Sequence, residues 1–333
     1  MDKRDIRRIK RFIGGFFTIT LAVVFLLVWG TPSNAASYPA KSITIISPFP
    51  PGGGNDIVCR ALSVKLSSIL GQSVVVSNKA GGGGAIGIQS VKVAAPDGYT
   101  ILSTPPPIVM LPLTTKGINF SHKDFIPLNI AVSAPSVLVV KSDAPWKELE
   151  DVIAEAKKKP GKLSYASTGF GGTPFFAGEF FKMVTETEIT HVPMNGIAPA
   201  MSALLGGHVT LAFPESGAVL GHLQSGTVRA LVVMAKKRLK DFPNVPTTAE
   251  KGYPKLITTS WHGFFLPSNT PAPVVKKLAD AFHQALTDKE VVASLEKLGW
   301  VIENIGPAEA AKFLMDEDKK WSEVARASKA VAQ

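Results

Sequence analysis

The sequence predicts an α/β protein built from two similar lobes, and three observations indicate this. Strand-like and helix-like segments alternate along the chain, glycine-rich loops join several strand-helix pairs, and the same order of strand, loop and helix occurs in both halves. Such alternation is typical of a mainly parallel sheet with helices on its faces. The chain has 333 residues, of which 45% are hydrophobic, enough for two cores of ordinary size.

The first half contains two units of strand, loop and helix, followed by a further strand. The predicted strands cover residues 42–47, 73–77 and 99–103. The predicted helices cover residues 56–70 and 85–95, after glycine loops at residues 48–54 and 81–84. Apolar residues of the first helix share one side, so we expect that side to pack against the sheet.

The second half repeats this order after Pro135. The predicted strands cover residues 137–140, 163–168 and 190–193. The predicted helices lie around residues 146–156, 174–184 and 199–205, and glycine loops at residues 169–172 and 194–196 precede the last two. We infer a second α/β lobe with the same connections as the first.

The C-terminal segment is too short for a lobe of its own. Its pattern predicts helices over residues 271–286 and 307–327, with a strand over residues 301–304 between them. We expect this segment to return to the first lobe, so that two strands cross between the lobes at a hinge. The predicted boundaries are residues 36–136 with 258–333 for the first lobe and residues 137–257 for the second.

The N-terminus has the layout of a secretory signal peptide. A basic stretch, which carries +4 of the net charge of +10, precedes an apolar run over residues 12–28. The small residues Ser33 and Ala35 follow, at the positions that a signal peptidase reads. Cleavage after Ala35 would leave 298 residues. The alternative is a retained membrane anchor, because the apolar run approaches the length of a spanning helix.

Several function classes lack their sequence motifs. Basic and acidic residues are mixed beyond the N-terminus, so we expect no nucleic-acid partner. Residues 82–87 have the G-x-G-x-x-G spacing, but the acidic residue that a dinucleotide site has about 20 positions later is missing. No Walker loop and no G-x-S-x-G occur, and the six histidines lack metal-ligand spacing. We predict no cofactor and no metal.

Cys59 is the single cysteine, so the chain has no internal disulfide. It closely follows a glycine loop, where a helix N-terminus would activate a thiol, and a cysteine-dependent enzyme is therefore one alternative. The other is a small packed residue of the first helix, beside Val58 and Leu62. We favour the packed role.

Four loops rich in glycine or proline, two in each half, each open a helix. The first turn of a helix has unpaired N–H groups and a positive dipole end, which attract an anion. Each hydrogen bond to a charged group contributes about 1.5–3 kcal/mol, so several converging donors hold a carboxylate without any arginine. Glycine in one such loop is explained by a tight turn alone. The matching order in both halves indicates a ligand cleft.

Five segments occur in a specific combination: PFPPGGGND at residues 48–56 with Arg60, NKAGGGGAIG at 78–87, PDGYT at 96–100, HVP at 191–193 with Gly196 and Pro199-Ala200, and VPT at 245–247 with Glu250. Over essentially the whole mature chain, this combination resembles the Bug family, the periplasmic substrate-binding proteins of tripartite tricarboxylate transporters. The resemblance implies a two-lobed periplasmic-binding-protein fold, similar to type II, that closes on a small organic anion.

The resemblance also implies which residues bind the ligand, mainly through backbone amides and waters. In the first lobe they are Phe49, Gly52, Gly53, Gly54, Asn55, Asp56, Gly81, Gly82, Gly83, Gly84 and Ala85. In the second lobe they are Thr168, Gly171, Gly172, Thr173, Asn195, Gly196, Pro199 and Ala200. Asp56 is equally explained as a helix-capping residue.

Departures from the family's pattern bear on the ligand. Asn195 stands where the family often has Lys, and Phe175 and Phe176 stand where a His often follows the glycine loop. Thr210 and Ser77 replace acidic residues. A second or third carboxylate would find no basic partner near the second lobe's loops, and burying it unpaired is costly. We therefore expect a ligand with one carboxylate and an apolar or aromatic remainder.

The residues and the resemblance together predict an exported, monomeric receptor in the periplasm. It would capture a small organic carboxylate, deliver it to inner-membrane permease subunits and catalyse nothing. A ligand sensor that presents its closed form to a signalling partner uses the same closure and stays an alternative. An enzyme that depends on a cofactor or on Cys59 is the other alternative.

We expect export to remove residues 1–35, because Ser33 and Ala35 suit signal peptidase and no later apolar stretch is long enough to anchor the chain. N-terminal sequencing of protein from the periplasmic fraction should therefore start at Ala36. A chain that still begins near Met1 and fractionates with the membrane would establish the retained anchor instead.

Overall fold

Two β-sheets organise the chain in the computed structural model, which describes residues 38–194 and 196–328. Both sheets belong to one unit, Lys41–Gln333. The predicted signal peptide, residues 1–35, and the predicted ligand-binding residue Asn195 lie outside the described residues.

Strands and helices alternate along the chain as the sequence predicts. The strands are β1 Ile43–Ser47, β2 Val74–Asn78, β3 Thr100–Thr104, β4 Phe125–Pro135, β5 Val137–Lys141, β6 Ser164–Ser167, β7 Thr190–Pro193, β8 Leu211–Ala212, β9 Val228–Val233, β10 Thr259–Pro267 and β11 Val301–Ile305. The helices are α1 Gly54–Leu70, α2 Ala85–Lys92, α3 Pro107–Thr114, α4 Leu149–Lys158, α5 Thr173–Thr185, α6 Ile197–Leu205, α7 Ser216–Gln224, α8 Ala272–Ala285, α9 Lys289–Glu296 and α10 Pro307–Ala327. Every predicted strand and helix is present, and β4, β8, β9, β10, α3, α7 and α9 are additional to the predicted elements.

Each sheet is mixed, which corrects the prediction of mainly parallel sheets. The first has the order β11-β4-β10-β3-β1-β2 and the second β7-β6-β8-β5-β9. Strands from the strand-loop-helix units pair in parallel, namely β1 with β2 and β3, and β6 with β7 and β8. The other pairs are antiparallel, because they involve strands that are not joined through a crossover helix. The flanked sheets confirm the predicted α/β class.

The chain crosses between the sheets at two neighbouring points. It leaves the first sheet at Ser136, between β4 and β5, and returns at Thr258, just before β10. The Ser136 N–H donates to the Thr258 carbonyl over 2.9 Å, and the Thr258 N–H donates to the Met234 carbonyl over 3.1 Å. The Met234 N–H in turn donates to the Ser136 carbonyl over 2.8 Å. The two crossing segments are therefore held side by side.

Long strand β10 runs antiparallel to β4 with two irregularities in register, one of them between His262 and Gly263. A Cβ on Gly263 would lie 2.6 Å from the Phe265 ring and 2.9 Å from the Ile130 side chain, so only glycine permits this approach. Bulges of this kind re-aim the neighbouring side chain. Here that side chain belongs to His262, which faces the cleft described below.

Helix α10 packs against elements of both sheets. Its Trp321 is fully buried, with the ring centroid 5.2 Å from that of Phe176 on α5. Buried Glu317, one turn earlier, accepts hydrogen bonds from the indole N–H groups of Trp321, over 2.8 Å, and of Trp261 on β10, over 2.9 Å. Lys320 also pairs with Glu317. Within the described residues, no helix is both long and apolar enough to cross a membrane.

Replacing Glu317 by Ala should lower the free energy of unfolding by about 2–4 kcal/mol, because two buried indole donors lose their acceptor and each orphaned group costs about 1–3 kcal/mol. Glu317→Gln keeps a carbonyl acceptor and should cost less. Urea denaturation measures both, with Glu323→Ala, an exposed glutamate of the same helix, as the matched control that changes stability by less than about 0.5 kcal/mol. Equal losses in the Ala and Gln variants would contradict this role.

Candidate functional site

A cleft of about 730 Å³ lies where loops of the two sheets face each other. Ten of the predicted ligand-binding residues line it: Phe49, Gly53, Gly54, Asn55, Gly83, Thr168, Gly171, Gly172, Thr173 and Gly196. The predicted residues that do not line it are Gly52, Asp56, Gly81, Gly82, Gly84, Ala85, Pro199 and Ala200. The geometry below explains the difference.

The loop after β1 delivers the N-terminus of α1 to the cleft. Gly53 caps the helix with extended backbone angles, and the first intrahelical bond runs from the Ile57 N–H to the Gly53 carbonyl over 3.0 Å. The N–H groups of Gly54 and Asn55 precede that bond and have no intrahelical acceptor. A Cβ on Gly54 would lie 3.1 Å from the Trp300 ring, so glycine here lets the helix start against an aromatic wall.

Asn55 ties this helix start to three strands. Its side-chain N–H groups donate to Ser47 Oγ at the end of β1, over 2.9 Å, and to the Ser103 carbonyl of β3, over 3.2 Å. Its Oδ1 accepts from Ser103 Oγ, over 3.1 Å, and from Nδ1 of His262 on β10, over 2.9 Å. The Asn55 side-chain amide thus has hydrogen-bond partners within the protein at both its nitrogen and its oxygen. The group of Asn55 that remains for a ligand is the backbone N–H.

Asp56 hydrogen-bonds to the loop and does not line the cleft, and its predicted ligand role stays a prediction. Its carboxylate accepts from the Gly52 N–H over 3.0 Å, from Arg60 Nε over 2.8 Å and from Asn78 Nδ2 over 2.9 Å. The hydrogen bond from Arg60 is the main reason that the pKa of Asp56 is lowered to about 2. The carboxylate is therefore a buried anion with its own partners, and Gly52 is the exposed turn residue that it holds.

In the glycine run of residues 81–84, all four glycines have positive φ, and only Gly83 lines the cleft. A Cβ on Gly84 would lie 3.1 Å from the Phe49 ring, so Gly84 allows Phe49 to lie over the start of α2. A Cβ on Gly81 would lie 2.4 Å from the Ile86 side chain. Gly84 thus leaves room for Phe49 at the cleft, and the direct ligand role of Gly81, Gly82, Gly84 and Ala85 stays a prediction.

The facing wall comes from the loop between β6 and α5. Gly171 approaches α3 of the first sheet so closely that its Cβ would lie 3.1 Å from Leu111 and 3.3 Å from Thr114 Oγ1. The α5 N-terminus at Gly172 and Thr173 points into the same space. Of the described residues predicted in the next loop, Gly196 lines the cleft, whereas Ala200 is buried in the second core and Pro199 is exposed on α6.

Seventeen further residues line the cleft and were absent from the predicted site, among them Glu215, Ser260, His262, Leu298 and Trp300. These five come from the start of α7, from β10 and from the turn before β11, which the topology brings together across more than eighty positions of sequence. The His262 and Trp300 rings meet edge to face with centroids 4.6 Å apart. No local pattern in the sequence marks these residues.

The cleft contains almost no charge. None of the lining residues is Lys or Arg, and the titratable ones are Glu215 and His262. Burial raises the pKa of Glu215, although hydrogen bonds from its own backbone N–H and from Ser260 oppose this. Burial lowers the pKa of His262 to about 3, so the imidazole is neutral at physiological pH. An anion in this cleft is held by backbone donors and helix dipoles.

The groups that would serve an enzyme are poorly placed for catalysis. Cys59 is fully buried, and burial raises its pKa to about 12, which keeps the thiol protonated. Ser167 Oγ lies 2.6 Å from His191 Nε2, but Ser167 has no exposed surface, and the His191 ring packs against Tyr165, Phe170 and Phe175. Among the described residues, no group of three His, Cys, Asp or Glu side chains is placed to hold a metal ion.

Comparisons with known proteins give one consistent result. The family described as "Tripartite tricarboxylate transporter family receptor" matches residues 58–329. Protein BugT of Bordetella pertussis is 35% identical over 298 residues, which cover 89% of this chain and 91% of BugT. A solved structure described as a periplasmic transporter is 36% identical with a TM-score of 0.77, and the match covers 87% of this chain and 98% of that one. The R. palustris protein Rpa4515, solved with adipate, is 29% identical with a TM-score of 0.79 and coverages of 89% and 100%.

The free energy of unfolding should fall as the pH is lowered, because the folded structure lowers the pKa of His262. Its folded-state pKa of about 3 lies below the ordinary value of 6.5, so the folded protein binds fewer protons than the unfolded chain between these values. The stabilising contribution is complete above pH 6.5 and is lost as the pH falls from 6.5 toward 3, at up to about 1.4 kcal/mol per pH unit.

Urea denaturation between pH 7.5 and pH 4 measures this loss. The variant His262→Asn, which keeps a side-chain donor for Asn55, should lose stability with a shallower pH dependence, while His283→Asn, an exposed histidine, should follow the unaltered protein. Parallel curves for all three proteins would refute the assignment.

Proposed function

The chain belongs to the tripartite tricarboxylate transporter receptor family and is thus a solute-binding receptor, and we propose that its solute is a small organic acid with one carboxylate group. The observation that carries this proposal is the composition of the cleft. Two helix N-termini supply hydrogen-bond donors, and no Lys or Arg is present among the lining residues.

The carboxylate would lie between the starts of α1 and α5. Gly54 and Asn55 on one side and Thr173 on the other belong to first helical turns, where N–H groups lack intrahelical acceptors. A helix N-terminus contributes about 0.3–1 kcal/mol toward an anion and up to about 2 kcal/mol where partly buried, and each charge-assisted hydrogen bond adds about 1.5–3 kcal/mol. These donors suffice for one carboxylate.

A second carboxylate would meet an unfavourable surface. Glu215, the one acidic lining residue, repels an anion, and His262 is neutral. Arg60, the cation nearest in sequence to the α1 loop, is paired with Asp56 and does not line the cleft. A buried carboxylate without a partner carries a desolvation cost of several kcal/mol, so the cleft discriminates against citrate-like solutes.

The rest of the solute would contact apolar side chains. Phe49, Leu111, Phe170, Leu298 and Trp300 line the cleft, and the apolar lining greatly exceeds the polar one. Phe170 and Leu298 are 61% and 49% exposed, which makes them available to a ligand. Burial of an apolar group against such a wall contributes about 25 cal/mol per Å². Adipate, the ligand in the Rpa4515 structure, has an aliphatic chain and two carboxylates, so it supports an aliphatic organic acid as the class of solute, while the number of carboxylates rests on the lining of this cleft.

Export, delivery and closure complete the proposal. The receptor would act as a monomer in the periplasm after loss of residues 1–35, and hand its solute to inner-membrane permease subunits. Its lobes would be residues 36–136 with 258–333 and residues 137–257, closing about the crossings at Ser136 and Thr258. It would catalyse nothing, and the buried state of Cys59 and Ser167 supports this.

Titration calorimetry of the mature protein tests the proposal. Benzoate, 3-phenylpropanoate and 4-methylpentanoate represent monocarboxylates with apolar remainders, and citrate is the comparison. We expect saturable binding of at least one monocarboxylate, at least tenfold tighter than citrate. Tight citrate binding with no heat from any monocarboxylate would overturn the proposal.

The variant Gly53→Val locates the binding site in the same assay. A Cβ on Gly53 would lie 3.6 Å from the Pro50 carbonyl oxygen, and the φ of −77° is allowed for any residue, so the variant should fold and its side chain should obstruct the carboxylate position. We expect affinity to fall at least tenfold. Gly172 is less suitable, because its Cβ would lie 2.2 Å from Thr168 Oγ1 and disturb the loop itself. Equal losses of stability and affinity would indicate that the glycine serves only the turn.

A further inference from the structure

Two hydrogen-bond acceptors on the floor of the cleft, His262 Nε2 and the Glu215 carboxyl group, have no Lys or Arg donor among the described residues that line it. His262 is 4% exposed and lines the cleft. Its Nδ1 faces Asn55 Oδ1, and the Asn55 amide orientation is set because its nitrogen donates to Ser47 Oγ and the Ser103 carbonyl. Nδ1 of the neutral ring must therefore carry the proton. Nε2 is then an acceptor, and it has no protein partner.

Glu215 supplies the second acceptor. It is the N-cap of α7 with no side-chain capping bond, and its backbone bridges to Ser136 at the crossing between the sheets. Its carboxyl group is linked to Ser260, which stands two positions before His262 on β10. Residues two apart on a strand share a face, so Glu215 and His262 lie at neighbouring positions of the same cleft wall.

Glu215 and His262 have no basic side chain beside them in the described lining of the cleft. Among the described lining residues, no Lys or Arg faces Glu215 or His262, and the other polar group on this wall is the Ser260 hydroxyl. Glu215 is half-buried, and a partly desolvated carboxylate without a counter-ion destabilises the unliganded protein. A ligand that carries a positive charge and several N–H donors would relieve that cost, whereas a hydroxyl offers one donor and no charge.

We propose that Glu215 and His262 Nε2 form a subsite for an ammonium group, so that the ligand is a zwitterion with one carboxylate, one ammonium and an apolar side chain. This inference rests on the proposed function, since the α1 and α5 N-termini hold the carboxylate. His262 is hydrogen-bonded to Asn55 at the very start of α1. The ammonium subsite therefore adjoins the carboxylate position, which places the nitrogen on the carbon next to the carboxylate, as in an apolar α-amino acid.

Matched pairs of ligands test the subsite. Calorimetry with L-leucine against 4-methylpentanoate, and with L-phenylalanine against 3-phenylpropanoate, varies only the ammonium group. In the unaltered mature protein the amino acid of at least one pair should bind at least tenfold tighter. In Glu215→Gln that preference should fall below threefold, while affinity for the deaminated acid should not fall, because the carboxylate that repels an anion is removed. Glu309→Gln, an exposed glutamate of α10, is the matched control and should keep the full preference.

Release of protons on ligand binding is an independent test of the ammonium subsite. Burial raises the pKa of Glu215, and an incoming ammonium favours the ionised form. Binding of the amino acid should therefore release protons over the pH range in which Glu215 titrates, which calorimetry at a series of pH values detects as different heats in phosphate and Tris buffers, and the release should vanish in Glu215→Gln. His262 stays neutral in this range and does not contribute.

The outcomes separate the two proposals. Deaminated acids that bind as tightly as the amino acids, or proton uptake on binding, would overturn the ammonium subsite and leave the carboxylate receptor intact. Binding of neither class would overturn both. The variant Glu215→Gln should fold, because it removes a half-buried negative charge that has no basic partner in the described lining of the cleft. A urea denaturation curve verifies this before the titration.

Discussion

The Asn55 amide is the contact on which the site depends. One buried side chain joins the ends of β1 and β3, the imidazole on β10 and the first turn of α1. It holds the helix N-terminus at the cleft, where the backbone donors face a ligand, and it determines which nitrogen of His262 carries the proton. A buried amide satisfied at both ends is rigid, since each lost bond leaves a group unpaired.

Charge in this protein is kept away from the cleft rather than concentrated in it. Asp56 is paired with Arg60 behind the glycine loop, and Glu317 is enclosed by two indoles and Lys320. Glu215 alone faces the cleft without a cation. In the proposed binding mode the cleft offers helix dipoles to one carboxylate of the ligand, an apolar wall to its remainder, and the acceptors Glu215 and His262 Nε2 to an ammonium group.

Two features connect the two sheets: the hydrogen-bonded crossing segments and helix α10. Hydrogen bonds among Ser136, Met234 and Thr258 hold the crossing segments together through backbone groups alone. Helix α10 adds side-chain packing, because Trp321 contacts Phe176 from the second half while its indole binds the same carboxylate as Trp261. The predicted hinge thus has a helix packed across it, which the order of elements along the chain did not indicate.

The sequence by itself determined the alternation of strands and helices and the glycine loops at the helix starts, because these depend on local periodicity and on where a chain lacks Cβ atoms. The resemblance to the family implied that Phe49 and Gly53 lie at the ligand site, and both line the cleft. The sequence did not distinguish Gly83, which lines the cleft, from Gly84, which supports Phe49, since both are equally permissive in a turn. Only the tertiary structure decided that Glu215, His262 and Trp300 share that cleft. Their elements are far apart in the chain and carry no local pattern, and long-range antiparallel pairing brings them together.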